Sequence, residues 1–365
     1  MPITRTLKSK KRILAFLIML VAFTLSTFAQ SDTIVSPEKA KSNFFQKTGN
    51  AIVSVVRFLD RTFSTHDTLY VTPNKYRFTV MTQYCCRHEF YNFSSFDQKQ
   101  SITITPKEKH SMGVQFGWKW VLCYLSFDLD SKSNDTDFFF SCSNSRCGLD
   151  ILYRKKNEGF KISRLDGFYN GDREIQANNR PFDGISVSQI GANAFYIFNN
   201  KRFSYRSAYG HSTVQRVNAG GFILGLSYNM QEFLIDSNKF DGDIREQLSP
   251  NMNIDGIKYH NISISGGYSY NWVLARNLIA NATLTPAICY KSASFKKQDG
   301  DKFVDNINFD LTAKAALVYN NTRWYAGTAI IANTFSYRKD YLSAVNGLGT
   351  LKVYIGINFV PRKKR

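Results

Sequence analysis

"NINFDLTAKAALVY", Asn306 to Tyr319, alternates along its whole length. Ile307, Phe309, Leu311, Ala313, Ala315, Leu317 and Tyr319 form one column; Asn306, Asn308, Asp310, Thr312, Lys314 and Ala316 form the other. Side chains of an extended chain point alternately to opposite faces, so this period specifies a strand with one apolar and one polar face. Asp310 and Lys314 require water or polar partners on the second face. The run is also longer than the roughly 9 to 11 residues that a tilted strand needs to cross a bilayer.

The pattern recurs. In "YRFTVMTQY" Tyr76, Phe78, Val80, Thr82 and Tyr84 share a face, in "ISISGGYSYNWV" Ile262, Ile264, Gly266, Tyr268, Tyr270 and Trp272 do, and "LKVYIGINFV" alternates through Leu351, Val353, Ile355, Ile357 and Phe359. Candidate strands fall near residues 76–88, 99–107, 111–118, 120–130, 136–144, 147–156, 186–198, 202–213, 218–230, 260–272, 277–290, 306–319, 323–336 and 348–359. Aromatic residues make up 15% of the chain and often stand at the ends of these runs, as interfacial girdles require. No stretch after the first 30 residues gives a 20-residue apolar helix. Backbone groups in lipid must pair within the protein, so strands that cross a membrane must close into a barrel. The expected fold is all-β: a closed antiparallel transmembrane β-barrel of about 12–14 strands with a short N-terminal amphipathic helix. A soluble sandwich or periplasmic ligand-binding barrel would turn the same apolar columns inward, and strand number and length favour the membrane barrel.

The first residues carry an export signal. Arg5, Lys8, Lys10, Lys11 and Arg12 precede "ILAFLIMLVAF", and Thr27 and Ala29 are small residues ahead of a cut before Gln30. The alternative is an N-terminal membrane anchor. No cysteine follows the apolar run, so a lipoprotein acylation point is not expected. The expected organisation is a signal peptide at 1–29, an N-terminal periplasmic segment at 30–66, the barrel at 67–360 and a basic tail at 361–365. Within the second part, Phe45, Ile52, Val55, Val56 and Leu59 gather at helical spacing.

Removing the five basic residues of Met1–Ala29 lowers the formal charge from +19 to +14. Such a surface attracts polyanions. Export sets nucleic acid aside, and the expected partners are outer-membrane lipids and lipopolysaccharide, with the barrel assembly machinery during biogenesis. The six cysteines, Cys85, Cys86, Cys123, Cys142, Cys147 and Cys289, lack CxxC zinc or redox spacing. Cys142 and Cys147 could close the loop "SCSNSRC", and adjacent Cys85 and Cys86 point to opposite faces of a strand.

Connections come in two lengths. Asn199–Asn200, Val273–Arg276 and Asn320–Asn321 read as tight turns, since Asn accepts left-handed backbone. The stretches 157–184, 231–258, 291–304 and 339–347 read as long polar loops. Short turns on one side and long loops on the other suit an outer-membrane barrel. Simple alternation nevertheless puts the Asn199 turn opposite the Asn320 turn, although "YIFNNKRFSYRSAY" (Tyr196–Tyr209) and "LVYNNTRWYAGTAI" (Leu317–Ile330) echo one another. A missed or falsely split strand would account for this.

Together with "VNAGGFILGLSYNM" and "ISGGYSYNWVLARNLIANATLTPAICY", that first stretch resembles an uncharacterised family of bacterial outer-membrane proteins typical of the Bacteroidota, described as a domain of unknown function. The resemblance covers roughly Asp67 to Phe359 and implies an outer-membrane barrel without an assigned reaction. "YCCRHEF", "SCSNSRC" and the basic tail depart from it.

No catalytic, cofactor-binding or metal-binding residue is assigned, and no cofactor is expected. His211 and Ser212 stand at an expected strand end, but neighbours on a strand point apart. "DSNKFDGDIRE" collects Asp236, Asp241, Asp243 and Glu246 without the spacing of a calcium loop, and "KKQDGDKF" (Lys296–Phe303) reads likewise as a solvated loop. Arg202, Arg206, Arg216 and Arg323 are expected to reach lipid headgroups from strand ends. The expected function is an integral barrel with a structural, assembly-related or small-solute passage role. A lipid- or lipopolysaccharide-acting enzyme is the alternative, beside the soluble ligand-binding barrel.

Overall fold

A computed structural model describes residues 66–361 apart from 96, 119–120, 129–135, 251, 253–254, 297–301 and 340–341. The signal peptide and the N-terminal amphipathic helix lie outside the described residues. In chain order the strands are β1 (Val71–Pro73), β2 (Tyr76–Ser95), β3 (Gln100–Pro106), β4 (Lys109–Trp118), β5 (Val121–Asp128), β6 (Thr136–Ser143) and β7 (Cys147–Lys156). Next come β8 (Phe160–Asp166), β9 (Tyr169–Asn170), β10 (Arg173–Glu174), β11 (Arg180–Pro181), β12 (Ile185–Ile197), helix α1 (Tyr205–Tyr209) and β13 (Thr213–Gln215). The chain continues with β14 (Ala219–Ile235), helix α2 (Gly242–Arg245), β15 (Gly256–Ala275), β16 (Leu278–Lys296), β17 (Lys302–Asn320), β18 (Trp324–Lys339) and β19 (Leu342–Pro361).

Twelve of these strands close on themselves: β2, β4, β5, β6, β7, β12, β14, β15, β16, β17, β18 and β19, the last pairing with the first. Every pairing in the circuit is antiparallel, and the β19–β2 seam runs from Pro361↔Tyr76 to Leu342↔Ser95. Two expected strands are not staves. Residues 99–107 form β3, which leaves the barrel with the end of β2 and extends into β8 and β11. Residues 202–213 contain α1 rather than a strand.

That correction removes the topological conflict. β12 and β14 are direct neighbours, with Ile197 opposite Ile223, and the chain between them turns into the barrel end. The Asn199 and Asn320 turns therefore share one end, called the turn end below, with the Asn277 turn. Asn199 and Asn277 do adopt left-handed backbone, φ 56° and 70°. At the second echo Asn321 Oδ1 accepts from the backbone N–H of Arg323 and Trp324, at 3.1 and 2.8 Å. At the opposite, loop end, the expected long loop at 339–347 is wrong: β18 runs to Lys339 and β19 resumes at Leu342, because the alternating pattern continues through both.

The faces decide between the membrane and soluble readings. Leu226, Ile262, Ile264, Leu284, Ile288, Ile307, Phe309, Ile330 and Val353 all point outward and are exposed, Ile264 at 62% and Phe309 at 70%. Their polar neighbours Asn261, Ser263, Thr283, Asn308, Asp310 and Thr350 are buried inside. Such an apolar belt around a polar interior suits hydrocarbon and is costly in water. Tyr268, Tyr270 and Trp272 stand along β15 toward the turn end, with Tyr319 and Trp324 on the next hairpins.

Substituting Ile264→Arg should therefore destabilise the barrel in lipid vesicles by about 2–4 kcal/mol, the cost of a cation on the lipid face near the midplane. Urea unfolding in vesicles measures it, and an effect near zero would contradict the outward belt.

Candidate functional site: a polar lumen sealed at both ends

Polar side chains that line the barrel must satisfy one another, because an unpaired buried group costs free energy. On the wall of β16, β17 and β18, Lys291 Nζ donates to Asp310 Oδ1 at 2.8 Å and to the Ser336 carbonyl at 2.7 Å. Asn261 Nδ2 donates to the other Asp310 oxygen at 3.0 Å. Nearer the loop end Arg154 Nη1 of β7 lies 3.1 Å from Glu89 Oε1 of β2, and Tyr91 OH donates to Glu89 Oε2 at 2.7 Å. Since β7 is four places from β2 around the barrel, this pair crosses the lumen.

Beyond that pair the inward positions turn aromatic and aliphatic. Tyr91 and Phe93 meet Phe233 of β14 edge to face, with ring centroids 5.2 and 5.7 Å apart. Ile102, Ile104, Phe160 and Ile162 from the loop-end strands join them, as do Phe168 and Phe182 from the connections beside those strands and Phe240, Ile244 and Met252 from the 236–255 loop. The loops are thus a cap with its own core. Gln100 fastens it, donating through Nε2 to the Gln247 carbonyl at 2.7 Å and accepting from Ser249 N–H at 2.9 Å.

The acidic loop serves that cap. Asp241 and Asp243 sit 3.1 and 3.0 Å from Arg180 Nη1, and Asp236 accepts from the backbone N–H of Asn238 at 3.2 Å. Where the sequence reads as a solvated loop, Asp241 and Asp243 instead hold the Arg180 guanidinium of the cap. Most of "KKQDGDKF" falls outside the described residues.

At the turn end, residues 198–218 fold inward as a plug. β13 pairs with β1, so the segment preceding the first stave holds the plug too. Asn271 Nδ2 of β15 donates to the Ser204 carbonyl, Ser207 Oγ and Gln215 Oε1 at 2.9, 3.1 and 3.1 Å. Asn320 Nδ2 of β17 donates to the carbonyls of His211 and Thr213, at 3.0 and 3.4 Å. Tyr209 OH donates to Asn281 Oδ1 at 2.7 Å, and Lys314 Nζ to Tyr205 OH at 3.0 Å. Gln215 is almost fully buried and donates to the Arg202 and Val217 carbonyls, at 2.6 and 2.9 Å.

His211 and Ser212 belong to this plug rather than to a strand end. The His211 ring stacks on Tyr325 at 4.8 Å and tilts against Tyr354 at 4.5 Å. Its Nδ1 and Ser212 Oγ have no hydrogen-bond partner among the described residues. Burial, reinforced by the charge of Lys352, lowers the His211 pKa to about 3. His66, which shares a hydrogen bond with Ser145 Oγ at 2.9 Å, is lowered to about 4 by burial and then by Arg206.

The four arginines divide. Arg323 is exposed at the rim, as a headgroup contact would be. Arg206 is buried in α1, a correction caused by the inward fold of the plug. Arg202 lies over the Tyr70 ring at 5.1 Å, and Arg216 donates to Thr72 Oγ1 and Asn277 Oδ1, both at 2.9 Å. All six cysteines are free, and Asn144 closes "SCSNSRC" by accepting from Cys147 N–H at 2.9 Å.

Between cap and plug lies a cavity of about 310 Å³, walled in part by Gln83, Asp150, Asn193, Thr312, Lys314 and Lys352. A smaller one of about 100 Å³ shares Gln83, Asp150, Lys314 and Lys352 and reaches down to Tyr209 and His211. Lys352 Nζ stands over the Phe139 ring at 5.7 Å. The sequence carried one signal for the cap: on β14 the inward positions change from Asn229 and Gln231 to the buried, apolar Phe233 and Ile235, while Leu234 faces outward.

The lowered histidine pKa values give a pH dependence. A released plug takes up protons near the ordinary value of about 6.5, whereas the docked one resists until about 4 and 3, so docking is strongest above the ordinary value and weakens as pH falls through that window. Hydrogen exchange at 204–215, corrected for intrinsic rates, should rise between pH 7 and 4.5. His211→Phe should flatten the rise by keeping the ring stack without the proton.

No curated protein matches the chain. Among solved structures it is similar to the outer membrane protease OmpT of Escherichia coli, with 7% identity, a TM-score of 0.38 and coverage of 80% of this chain and 99% of that one. The translocator domain of the autotransporter NalP from Neisseria meningitidis gives 7% and 0.34, covering 86% and 95%. The P. putida toluene transporter TodX gives 9% and 0.22, covering 83% and 98%. Residues 65–359 match a single family over most of the chain, and the protein belongs to that family, Domain of unknown function (DUF4421).

Proposed function

We propose that this protein is an integral outer-membrane barrel with a structural, non-conducting role, exported by the signal at Met1–Ala29. Its turn end faces the periplasm and its capped loop end the exterior. The observation that carries the reading is a polar lumen shut at both ends, by the apolar core around Phe233 and by the plug hydrogen-bonded to Asn271 and Asn320. The outward apolar belt supports contact with membrane lipid, and the exposed Arg323 at the turn-end rim supports a headgroup contact. The same fold supports insertion by the barrel assembly machinery.

A second reading has a specific support. Arg87, Arg154, Lys314 and Lys352 line the larger cavity; Glu89 faces Arg87 and Arg154 and Lys291 holds Asp310, which leaves Asp150 as the other acid among the described lining residues. A small anionic solute would be favoured there if the plug moved. The enzyme alternative has no such support, since His211 is packed between two tyrosine rings.

Planar-bilayer recording separates the two. The unmodified protein should give no steady current. Asn271→Leu combined with Asn320→Leu, which removes five hydrogen bonds to the plug, should stay silent under the structural reading and open anion-selective events under the second. A steady current through the unmodified barrel would contradict the double seal.

A further inference from the structure

"YCCRHEF", Tyr84 to Phe90, departs from the family resemblance, and neither lumen nor plug accounts for its outward side chains. On β2 the parity set by the belt sends Cys85 and Arg87 inward and Tyr84, Cys86 and His88 outward. Cys86 is directly opposite His110 on β4. Arg87 pairs with Lys109, so Glu108 comes level with His88, and the two are in contact at 3.5 Å between Nδ1 and Oε1. A thiol, two imidazoles and a carboxylate thus occupy a two-by-two patch on adjacent strands at the loop-end rim. The ligand atoms of Cys86, Glu108 and His110 all lie within 4.8 Å of one another.

We propose that this patch binds one zinc ion on the outer surface of the barrel, through Cys86 Sγ, His110 Nε2, a Glu108 oxygen and His88. Sulfur, nitrogen and oxygen donors in one small cluster suit borderline divalent zinc better than calcium or magnesium, which take oxygen alone. A tetrahedral zinc site has ligands about 3.5 Å apart, given bond lengths of about 2.0–2.3 Å. Binding therefore requires side-chain rotation at the exposed His88, Glu108 and His110 and the half-buried Cys86 to close the present spacing. On binding, the Cys86 thiol yields its proton to solvent and its sulfur lone pair forms the bond to zinc. Tyr84 positions the second imidazole: its hydroxyl is 2.6 Å from His110 Nδ1, which leaves Nε2 for the ion.

The barrel contains its own control. Tyr228 and His260 repeat the Tyr84–His110 arrangement on β14 and β15, with 2.8 Å between Tyr228 OH and His260 Nδ1 and the rings stacked at 6.1 Å. There the position opposite the histidine is Met230 instead of a cysteine, and Lys258 and Glu232 follow instead of a glutamate and a histidine. A tyrosine–histidine pair alone is a rim anchor. The first pair differs by the thiol, carboxylate and second imidazole around it.

Cobalt titration of the folded full chain in detergent tests the site, each variant being checked for folding by heat-dependent gel mobility. One equivalent of Co²⁺ should give a thiolate-to-metal charge-transfer band, displaced by zinc. Cys86→Ser should abolish the band, His110→Ala should prevent saturation at one equivalent, Tyr84→Phe should weaken binding about tenfold, and His260→Ala should change nothing. In the unmodified protein zinc should protect Cys86 from alkylation, read by mass spectrometry of its peptide. A band that survives Cys86→Ser, equal losses in His110→Ala and His260→Ala, or an unprotected Cys86 would overturn the proposal.

Discussion

The seam between β2 and β19 is the constraint on which the rest depends. Hydrocarbon offers no partner to a peptide N–H or C=O, so an open sheet edge in a membrane is forbidden and the first and last staves must pair. They do so from Tyr76 and Pro361 at the turn end to Ser95 and Leu342 at the loop end. Once the circuit is closed at twelve strands, alternation assigns each side chain to lipid or lumen with no remaining freedom. A one-residue slip along β17 would send Asp310 and Lys314 into lipid and Phe309 inside.

Closure creates a second problem, because the inner face of the barrel must also be satisfied. Three solutions follow one another along the axis. Near the loop end aromatic and aliphatic inward residues make a core with the cap. In the middle, ion pairs and amides satisfy one another, as at Lys291–Asp310 and Glu89–Arg154. At the turn end the chain supplies its own filling, and Asn271, Asn281 and Asn320 receive its polar groups. A buried pair of charges contributes less to stability than its attraction suggests, since both ions are desolvated. Its value here is positional, because breaking one side leaves a charge unpaired inside the barrel.

The staves were legible wherever one face meets lipid and the other polar groups, as in Asn306–Tyr319, since alternation there is forced by both solvents. The plug was not. "RFSYRSAYGHST" mixes aromatic and small polar residues because it is surrounded on every side by the barrel wall, and its tyrosines resemble girdle residues. Taken as a strand it adds a run to the candidates and creates the conflict over Asn199, while the twelve staves fall within the expected 12–14. Likewise 99–107 is a strand in a cap, and nothing local distinguishes it from a stave. His211 and Arg206 resemble rim residues for the same reason: His211 is buried by Tyr325 and Tyr354, which are distant in sequence, and Arg206 by the inward fold of the helix that carries it. The Cys86–His110 pairing depends on the β2–β4 register, which no spacing in the chain encodes.

The central claim is that the apolar columns face lipid and the polar ones the lumen. A spin-label scan over residues 260–266 of β15 in vesicles, in a chain whose six native cysteines are replaced, measures this position by position. Accessibility to dissolved oxygen should peak at 262 and 264 and fall at 261 and 263, a period of two in phase with the apolar column. A flat profile, or maxima at 261 and 263, would contradict the account.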